Sequence, residues 1–490
     1  MARAMKAIIA IAVGLLALPA SSSAVARPRS AYGAGPRRLA RAARAASRAA
    51  AQAGGGGAPR TVTLGLVGGG TVGGGIVEIL RANAAAIRAS LNVEFRIATI
   101  CVADVAKQRD YALPAGCALT TDVHAVLDDA QIDVVVEVMG GTTLAKEVVM
   151  KAMASGKHVV TANKALIAAN LPALAAAHAA ANAARAGAPV HFGYEAAVCG
   201  GIPIIHVLQR DLLSDRITGV RGIINGCTNY MLSSMAASGC SYADCLRQAS
   251  DLGYAEADPT LDVGGFDARS KLKILIELAF GLGVDEDDIP VKGITEVTSV
   301  DFEYAKMQGG TIKLLGVAQL DGAGGLTAFV SPAFVPEASQ LHGINGATNA
   351  VQLLSAYLKE TVLVGQGAGR FPTANSCVAD LLQIAQGICP APFPKRPEAG
   401  LAFKNDYSGP FYIRVRYRDM VGITRDVGAV CAKYGISIHS MLQNPVKNRN
   451  DAMFVLITEP CALSQVKLAT AELERFDWCK GNSFFMPSLA

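Results

Sequence analysis

Residues 253–271 concentrate ionisable side chains just before an apolar helix. Asp267 and Lys271 are four residues apart, which places them on one helix face at the start of that helix. An ammonium group held there by a carboxylate can polarise a carbonyl oxygen or move a proton. Glu256 and Asp262 add carboxylates that can hold an ammonium group. The alternative is an ordinary ion pair at a solvated helix start, because such pairs are common at this spacing.

The length of the chain, 490 residues, exceeds what one hydrophobic core supports and predicts two to four domains. A hydrophobic content of 51% with 50 glycines favours a packed α/β enzyme over a disordered or fibrous protein. The net charge of +5 comes from residues 1–60, which contain no acidic residue. The remaining chain is mildly acidic and has no basic stripe with interleaved aromatics, which argues against nucleic-acid binding.

Eleven cysteines occur at irregular spacings, without a Cys-x-x-Cys pair or a Cys/His set at zinc spacing. This pattern argues against a disulfide framework and favours a reducing compartment. We expect most of these cysteines to be small buried hydrophobic residues.

Residues 1–60 have the composition of a targeting leader. A basic start precedes an apolar run at residues 8–18 and a small-residue cleavage pattern at residues 24–26. The run is shorter than the ~18–20 residues of a spanning helix, so no membrane segment is expected in the mature chain. The arginine-rich stretch at residues 37–48 is typical of a transit peptide. The combination predicts import into a plastid bounded by extra membranes, with a plain plastid or mitochondrial presequence as the alternative.

A glycine-rich turn follows the apolar strand predicted at residues 61–67. Its G-x-G-x-x-G spacing lies between a strand and a helix, as in dinucleotide-binding proteins. The glycines allow close backbone approach, and the helix N-terminus offers free N–H groups to a pyrophosphate. The cofactor-binding candidates in this turn are Gly68, Gly70, Thr71, Val72 and Gly73.

Asp104 ends the second predicted strand, at residues 93–104, and is the candidate for binding the ribose hydroxyls of NAD. It lies further from the last glycine than the usual ~20 residues. Lys107 and Arg109 follow closely and suit the 2′-phosphate of NADP. The sequence therefore leaves both NAD and NADP as candidate cofactors.

Further buried strands alternate with helices and predict a Rossmann-type doubly wound parallel sheet over residues 61–190. Ligands bind such sheets at the carboxyl ends of the strands. The polar or glycine residues at those ends are therefore cofactor candidates: Gly140, Gly141, Thr161, Asn163 and Lys164.

Several runs resemble motifs of the homoserine dehydrogenases. They are Glu-Ala-Ala-Val-Cys-Gly-Gly-Ile-Pro at residues 195–203, Gly-Ile-Ile-Asn-Gly-Cys-Thr-Asn-Tyr at 222–230 and Gly-Tyr-Ala-Glu-Ala-Asp-Pro at 253–259, with shorter matches at 160–164 and 367–373. The resemblance covers about residues 61–386. It implies NAD(P)-dependent interconversion of L-aspartate 4-semialdehyde and L-homoserine, a shared step towards threonine, isoleucine and methionine.

The resemblance also implies roles for particular residues. Lys271 would be the catalytic lysine at the substrate oxygen, with Asp267 close by and Lys164 as a second lysine. Glu256 and Asp262 would hold the ammonium group of the substrate. The remaining implied contacts are Gly226 and Thr228 with the substrate, Gly367 with the cofactor, and Glu195 with backbone oxygens of Val198, Gly200 and Ile202 around a sodium ion.

Two cysteines depart from the family pattern. Cys199 and Cys227 stand where the family commonly has Gly and Ser or Thr. Thiols beside an active site can make an enzyme sensitive to oxidation. The alternative is neutral drift among small residues, because most cysteines are inert.

The C-terminal region, residues 409–490, alternates strands and helices in the order βαββα and resembles an ACT domain, a ferredoxin-like fold that binds amino-acid effectors. The usual Asp-x-Pro-Gly motif lacks its proline at residues 419–422. Two roles of this domain therefore remain open: binding of threonine as an effector, and a structural or assembly role. We predict a linker at residues 390–408. Residues 191–389 are predicted to form an α+β substrate-binding and dimerisation domain that ends by returning to the Rossmann domain, in a homodimer or homotetramer.

Two other functions remain as alternatives. One is a catalytically inactive amino-acid-sensing homologue, and the other is a dehydrogenase for another small amino acid or aldehyde. The argument against the sensor is that four residues are intact: Lys164, Glu256, Asp267 and Lys271. No kinase-like region precedes the motifs, so we expect a monofunctional enzyme rather than a fusion with aspartokinase.

Overall fold

The computed structural model describes residues 58–185, 189–255 and 258–489. The predicted leader lies outside the described residues, except for its last few positions. Glu256 also lies outside them.

The first sheet has six parallel strands in the order β3-β2-β1-β4-β5-β6. Strand β1 is apolar and almost wholly buried, as expected of a central strand covered on both faces. The chain order reverses between β1 and β4, and ligands bind such sheets at this point. The predicted doubly wound sheet is confirmed. Its strands are β1 (Arg60–Val67), β2 (Val93–Cys101), β3 (Ala118–Thr120), β4 (Val134–Glu137), β5 (His158–Thr161) and β6 (Phe192–Gly193).

Four helices connect these strands. The longest helix starts directly after Gly70. It ends at Asn92, whose backbone adopts the left-handed conformation. These helices are α1 (Thr71–Leu91), α2 (His124–Leu127), α3 (Thr143–Ser155) and α4 (Lys164–Ala183).

Helix α4 is the one helix in the described part of the chain that is long and apolar enough to cross a membrane by length and composition. A core helix passes the same test, and seven residues of α4 are buried within the domain. Its backbone leaves helical geometry at Asn170, two residues before Pro172, because proline cannot continue the helical hydrogen bonds.

The second sheet is mixed, in the order β11-β10-β7-β8-β9-β12. All neighbouring strands are antiparallel except β9 and β12, which run parallel. Strand β12 falls inside the predicted linker at residues 390–408, so that segment is partly a sheet edge rather than only a connection. The strands are β7 (Ile217–Ile223), β8 (Gly310–Leu320), β9 (Gly325–Pro336), β10 (Thr348–Ser355), β11 (Lys359–Gln366) and β12 (Ala402–Lys404).

Seven helices accompany the second sheet: α5 (Ile204–His206), α6 (Gly226–Ser238), α7 (Tyr242–Asp251), α8 (Thr260–Val263), α9 (Phe266–Phe280), α10 (Ser299–Met307) and α11 (Arg370–Gln386). Helix α11 packs back along α1 of the Rossmann domain. A Cβ atom on Gly75 would lie 2.9 Å from the Cβ of Ala374, so the glycine permits this close packing. The chain therefore returns to its first domain.

Cys240 and Cys245 form a disulfide between the end of α6 and the body of α7. The irregular cysteine spacings did not indicate this pair. The other nine cysteines are free and six of them are buried. The bridge is thus local, and it joins the helix that begins at Gly226 to the helix that leads towards residue 253.

The C-terminal region forms an antiparallel sheet in the order β15-β16-β14-β18 with two helices. The ferredoxin-like ACT fold is confirmed, with β18 as a fourth strand that the sequence analysis did not include. The elements are β13 (Ser408–Gly409), β14 (Phe411–Tyr417), α12 (Ile423–Lys433), β15 (Ile438–Leu442), β16 (Ala452–Thr458), β17 (Cys461–Ala462), α13 (Leu463–Leu473) and β18 (Phe484–Pro487).

A buried carboxylate ties the ACT sheet to α10. Asp301 is fully buried and accepts a hydrogen bond from the Tyr412 hydroxyl at 2.7 Å. The Arg414 guanidinium also pairs with it. Asp301 caps its own helix through the backbone N–H of Thr298 at 2.8 Å.

Arg414→Met leaves the buried Asp301 without its cation, so we expect the free energy of unfolding to fall by about 3 kcal/mol. Urea denaturation of both proteins measures the difference. Arg416→Met is the matched control, because Arg416 on the same strand pairs with Asp451 at the exposed surface. We expect that variant to lose under ~1 kcal/mol. Equal losses in the two variants would contradict the assignment.

Candidate active site

Asp267 lies in the first turn of α9 and holds two lysines. Its Oδ2 atom accepts a hydrogen bond from the Lys271 Nζ atom at 2.7 Å, and its Oδ1 atom lies 2.7 Å from the Lys164 Nζ atom. Lys271 also donates to the carbonyl oxygen of Ile224 at 2.7 Å. The structure therefore brings together the three residues predicted as catalytic, with Lys164 contributed by the Rossmann domain.

Burial and charge set the protonation of this pair. Asp267 and Lys271 are each 8% exposed. Burial raises the pKa of Asp267, but the ammonium groups of Lys271 and Lys164 outweigh it and hold that pKa well below its usual range. Burial lowers the pKa of Lys271, but the Asp267 carboxylate more than offsets this and raises the pKa above its ordinary value. Lys271 is thus an ammonium group at neutral pH.

Asn225 connects the two predicted carboxylates and was not among the residues predicted from the sequence. Its Nδ2 atom donates to Asp262 at 2.7 Å and to Asp267 at 2.9 Å. Its Oδ1 atom accepts the N–H of Thr228, which caps the start of α6. The signal that the sequence offered for this residue was an asparagine directly before a helix start, which is a preferred capping position.

The predicted substrate residues differ in their placement. Gly226 lines the cavity beside Lys271. The Thr228 hydroxyl is buried and donates back to Asn225 at 3.0 Å, so its side chain supports the helix start and does not face the cavity. Asp262 is half-buried, and burial raises its pKa.

A cavity of about 560 Å³ opens over these groups. This size suits a small substrate together with part of a cofactor. The Rossmann domain contributes Lys164, and the second domain contributes the remaining wall. The lining residues are Lys164, Asn225, Gly226, Cys227, Leu252, Gly253, Tyr254, Asp262, Asp267, Lys271, Ala347, Thr348, Asn349, Gln366, Gly367, Ala368 and Gly369.

The glycine-rich turn has the geometry of a pyrophosphate cradle. Gly68 has φ +118°, and a Cβ atom there would lie 2.6 Å from the backbone of Val138. A Cβ atom on Gly73 would lie 2.2 Å from the carbonyl oxygen of Gly68. Gly70, in contrast, faces open space at the start of α1, where Thr71 and Val72 offer free N–H groups. The residues present therefore fit a dinucleotide.

Three family models match the chain in order along its length. They are the homoserine dehydrogenase NAD-binding domain at residues 68–186, homoserine dehydrogenase at residues 203–382 and the ACT domain at residues 411–477. The homoserine dehydrogenase of Bacillus subtilis is 37% identical over 405 residues, which are 81% of this chain and 92% of that relative. The homoserine dehydrogenase of Pseudomonas aeruginosa is 37% identical over 439 residues, 86% of this chain and 97% of that relative. The chain belongs to the homoserine dehydrogenase family.

Solved structures agree. The crystal structure of a homoserine dehydrogenase from Thiobacillus denitrificans has a TM-score of 0.80 and 36% identity, covering 88% of this chain and 98% of that one. The Staphylococcus aureus enzyme has a TM-score of 0.69 and 28% identity, covering 88% and 99%. Homoserine dehydrogenases are NAD(P)-dependent oxidoreductases that interconvert L-aspartate 4-semialdehyde and L-homoserine, and these relatives support that function for this chain.

The cofactor crevice of this chain differs in detail from the prediction. Gly140 and Gly141 have φ +79° and +73°, and the Asn163 amide donates to the carbonyl oxygen of Gly141 at 2.6 Å. The Thr161 hydroxyl is fully buried and donates to Glu137 at 2.6 Å, so it does not reach the crevice. A threonine at the end of a strand can direct its hydroxyl into the crevice or into the protein. Here the buried Glu137 carboxylate accepts that hydroxyl, so it points into the protein.

The loop after β2 carries both candidates for reading the adenosine ribose. Asp104 is exposed, and its carboxylate accepts the N–H of Ala106 at 2.8 Å. The Arg109 guanidinium donates to the carbonyl oxygen of Asp104. The loop thus presents a carboxylate suited to ribose hydroxyls and a guanidinium suited to a 2′-phosphate.

Glu195 is buried among hydrogen-bond donors. Its carboxylate accepts the N–H groups of Ile205 at 3.0 Å and His206 at 2.6 Å. The His206 imidazole bridges Glu195 at 3.1 Å and Asp380 at 2.7 Å. Burial raises the pKa of Glu195 to about 7. The Glu195 carboxylate is therefore occupied by the N–H groups at the start of α5. Of the cation ligands that the family implies, the backbone oxygens remain.

The turn after Glu195 is tightly curled. Cys199 and Gly200 have φ +54° and +35°, and a Cβ atom on Gly200 would lie 2.7 Å from the carbonyl oxygen of Gly367. The carbonyl of Gly200 accepts from the Ser376 hydroxyl, and that of Ile202 accepts from the N–H of Ile204 at 2.8 Å. Within the described residues, no group of three or more His, Cys, Asp or Glu side chains is arranged to hold a metal.

The two unusual cysteines are buried beside the cavity. Burial raises the pKa of Cys199 to about 11 and that of Cys227 to about 12. A thiol is oxidised mainly through its thiolate, which both sites disfavour at neutral pH. The geometry therefore favours inert thiols over a redox role.

Proposed function

We propose that Lys271 polarises the aldehyde of L-aspartate 4-semialdehyde in the homoserine dehydrogenase reaction. The observation that carries this role is a buried ammonium group at the cavity wall, anchored by Asp267 at 2.7 Å. The bound nicotinamide supplies the hydride. As hydride adds to the aldehyde carbon, negative charge develops on its oxygen, and a fixed ammonium group stabilises that charge. In the reverse direction, Lys271 donates a hydrogen bond to the hydroxyl oxygen of homoserine, and the hydroxyl proton leaves through Lys164 to solvent.

Lys164 and Asp262 complete the proposed site. The Lys164 side chain is 44% exposed, so it can shift between Asp267 and a bound substrate. We assign it proton exchange with solvent or contact with the substrate. Asp262 lines the cavity and is assigned to the ammonium group of the substrate. Glu256 is assigned the same role from the family motif alone.

The test is turnover of L-homoserine by the purified protein, followed by nicotinamide absorbance with NAD and with NADP. Turnover with either cofactor supports the proposal, and the ratio of the two rates gives the cofactor preference. Absence of turnover with both would favour an inactive sensing homologue. Turnover only with another small amino alcohol would favour a different dehydrogenase.

We propose that sodium binds backbone oxygens of Val198, Gly200 and Ile202. The support is the curled backbone of this turn and its contact with the loop at Gly367. We expect the thermal unfolding temperature and the activity to be higher in sodium chloride than in tetramethylammonium chloride. Equal values in the two salts would contradict the proposal.

We propose threonine as an inhibitory effector of the ACT domain. A cavity of about 260 Å³ between the ACT sheet and β9 supports binding of an amino acid, because His439 and Glu459 place an imidazole and a carboxylate at its wall. Inhibition by threonine that is lost in Glu459→Gln supports this assignment. Unchanged activity with millimolar threonine would leave the ACT domain a structural role.

We also propose a homodimer or homotetramer. Strand β11 is an edge of the mixed sheet, and Leu358 and Val364 expose apolar side chains there. Exposed edges of this kind pair with other chains. Light scattering that gave a monomer mass would contradict the proposal.

Import into a plastid, or alternatively a mitochondrion, is proposed for the leader at residues 1–60. The support is its composition alone. A fluorescent protein fused to this leader should enter the organelle, and cytosolic fluorescence would contradict the proposal.

A further inference from the structure

The side chain of Asn349 has buried hydrogen-bonding atoms without a nitrogen or oxygen partner. Asn349 is 1% exposed, and neither its Nδ2 nor its Oδ1 atom meets hydrogen-bond geometry with another described residue. The buried Cys199 thiol adjoins the amide, and sulfur is only a weak hydrogen-bonding partner. Leaving a buried amide unpaired is costly, because its hydrogen bonds to water are lost without replacement, so such atoms call for a physical explanation. Asn349 lines the cavity beside Lys271, which places both atoms next to the space where ligands bind.

The amide is held between the substrate side and the cofactor side of that cavity. A Cβ atom on Gly367 would lie 2.0 Å from the Nδ2 atom, and one on Gly226 would lie 3.5 Å from the Oδ1 atom. A side chain at position 367 would collide with the Asn349 amide, so this position requires glycine. The loop at Gly367 leads into α11, which packs against the dinucleotide-binding helix α1.

The backbone behind Asn349 is fixed by a second set of contacts. The Asn229 amide donates to the carbonyl oxygens of Thr348 at 2.9 Å and Ile344 at 3.2 Å. The buried Lys313 donates to Ile344 at 2.6 Å and to Asn345 at 2.9 Å. These contacts hold the start of β10 in place, so the Asn349 amide is preorganised for a ligand.

We propose that the Asn349 carboxamide recognises the nicotinamide carboxamide of the cofactor. An asparagine amide presents one acceptor oxygen and two donor hydrogens. The nicotinamide carboxamide presents the complementary acceptor and donor, so it pairs with both free atoms. The substrate carries both a carboxylate and an ammonium group, but its ammonium group is assigned to Asp262 and Glu256. The remaining carboxylate has no donor and would leave the Oδ1 atom unpaired. The substrate hydroxyl is already assigned to Lys271.

This inference rests on the proposed homoserine dehydrogenase reaction and extends it to the orientation of the nicotinamide ring. Pairing of the two amides fixes the rotation of the ring about its glycosidic bond. That rotation decides which face of the ring transfers hydride. Asn349 is therefore a positioning residue for the cofactor, and Lys271 remains the group at the substrate oxygen.

The test compares two cofactors in wild type and in Asn349→Ala. The 3-acetylpyridine analogue of the cofactor replaces the carboxamide by a methyl ketone, which keeps the acceptor and removes the donor. In wild type the analogue leaves the Oδ1 atom unpaired, whereas the alanine variant has no such atom. We expect the ratio of kcat/KM for the analogue to kcat/KM for the natural cofactor to be about tenfold higher in the variant. The dissociation constants of the two cofactors, measured by fluorescence titration without homoserine, should shift in the same direction, with the analogue binding relatively more tightly in the variant.

Because each ratio is measured within one protein, incomplete folding of the variant cancels. Gln352→Ala is the matched control, since Gln352 is a buried amide on the same strand that does not line the cavity. Its ratio should equal that of wild type. An unchanged ratio in Asn349→Ala would overturn the inference, and so would a loss confined to the KM for homoserine. Failure of wild type to oxidise homoserine would instead refute the proposed function.

Discussion

Lys271→Ala lowers kcat for homoserine oxidation by about 10²–10⁴-fold, the range that a positioned acid or base contributes. The reason is that the substrate oxygen loses the buried ammonium group that offsets its charge. Cofactor affinity changes little, because Lys271 lies on α9 and the pyrophosphate cradle lies at the start of α1. Asp267 keeps its ion pair with Lys164, so the variant does not leave a buried charge unpaired. Steady-state kinetics and fluorescence titration of the cofactor measure the two effects.

Lys273→Ala is the control for this experiment. Lys273 lies two residues further along α9, on a different face of the helix, and does not line the cavity. We expect wild-type kcat from it. If Lys271→Ala kept full activity, or if it lost cofactor binding together with activity, the assigned role would be wrong.

Asp267→Asn has the second large effect, because it removes the anion shared by two lysines. We expect kcat to fall by about 10²-fold, as expected for loss of a group that positions a catalytic acid. We expect the free energy of unfolding to fall by about 3 kcal/mol, since two buried or half-buried cations are left without their partner. Without Asp267, burial lowers the pKa of Lys271. The alkaline limb of the pH profile of kcat should therefore move to lower pH.

The pH dependence of the stability difference follows from the direction of each shift. The folded pKa of Asp267 is lowered, so its contribution is present above about pH 4 and disappears as the pH falls through the folded value. The folded pKa of Lys271 is raised, so its contribution is present below about pH 10 and disappears as the pH rises through the folded value. The difference between wild type and Asp267→Asn is thus largest between these limits.

Asp244→Asn is the matched control for the stability measurement. Asp244 pairs with Arg247 on the exposed surface of α7. Exposed pairs contribute little to stability, because water screens the two charges. A loss of stability in Asp267→Asn that was no larger than the loss in Asp244→Asn, or that persisted unchanged at pH 2, would contradict the electrostatic account.

Local patterns in the sequence were enough to predict much of this molecule. The spacing of Asp267 and Lys271 follows from helical periodicity, and the structure places them 2.7 Å apart. The glycine-rich turn after an apolar strand predicted the cradle at α1, because strand, turn and helix are contiguous in the chain. Alternating strands and helices predicted the parallel sheet and the ACT fold for the same reason.

Some predictions depended on neighbours that are remote in sequence, and these are where the structure differs. Thr161 turns inward because Glu137 on the adjacent strand accepts its hydroxyl. Thr228 is a local exception, because its hydroxyl turns towards the Asn225 cap three residues earlier rather than towards the cavity. Part of the predicted linker became β12, since β9 offered an edge with which it could pair.

Only the tertiary structure decided how the site is assembled. The second partner of Asp267, Lys164, comes from the Rossmann domain, and their contact exists because α4 and α9 pack together. Asn225 joins Asp262 to Asp267 across a turn that no local pattern connects. Asn349 acquires its position from the pairing of β10 with its neighbours and from the glycine at position 367. Periodicity determines which residues share one element, whereas packing between elements determines which of them meet around a substrate.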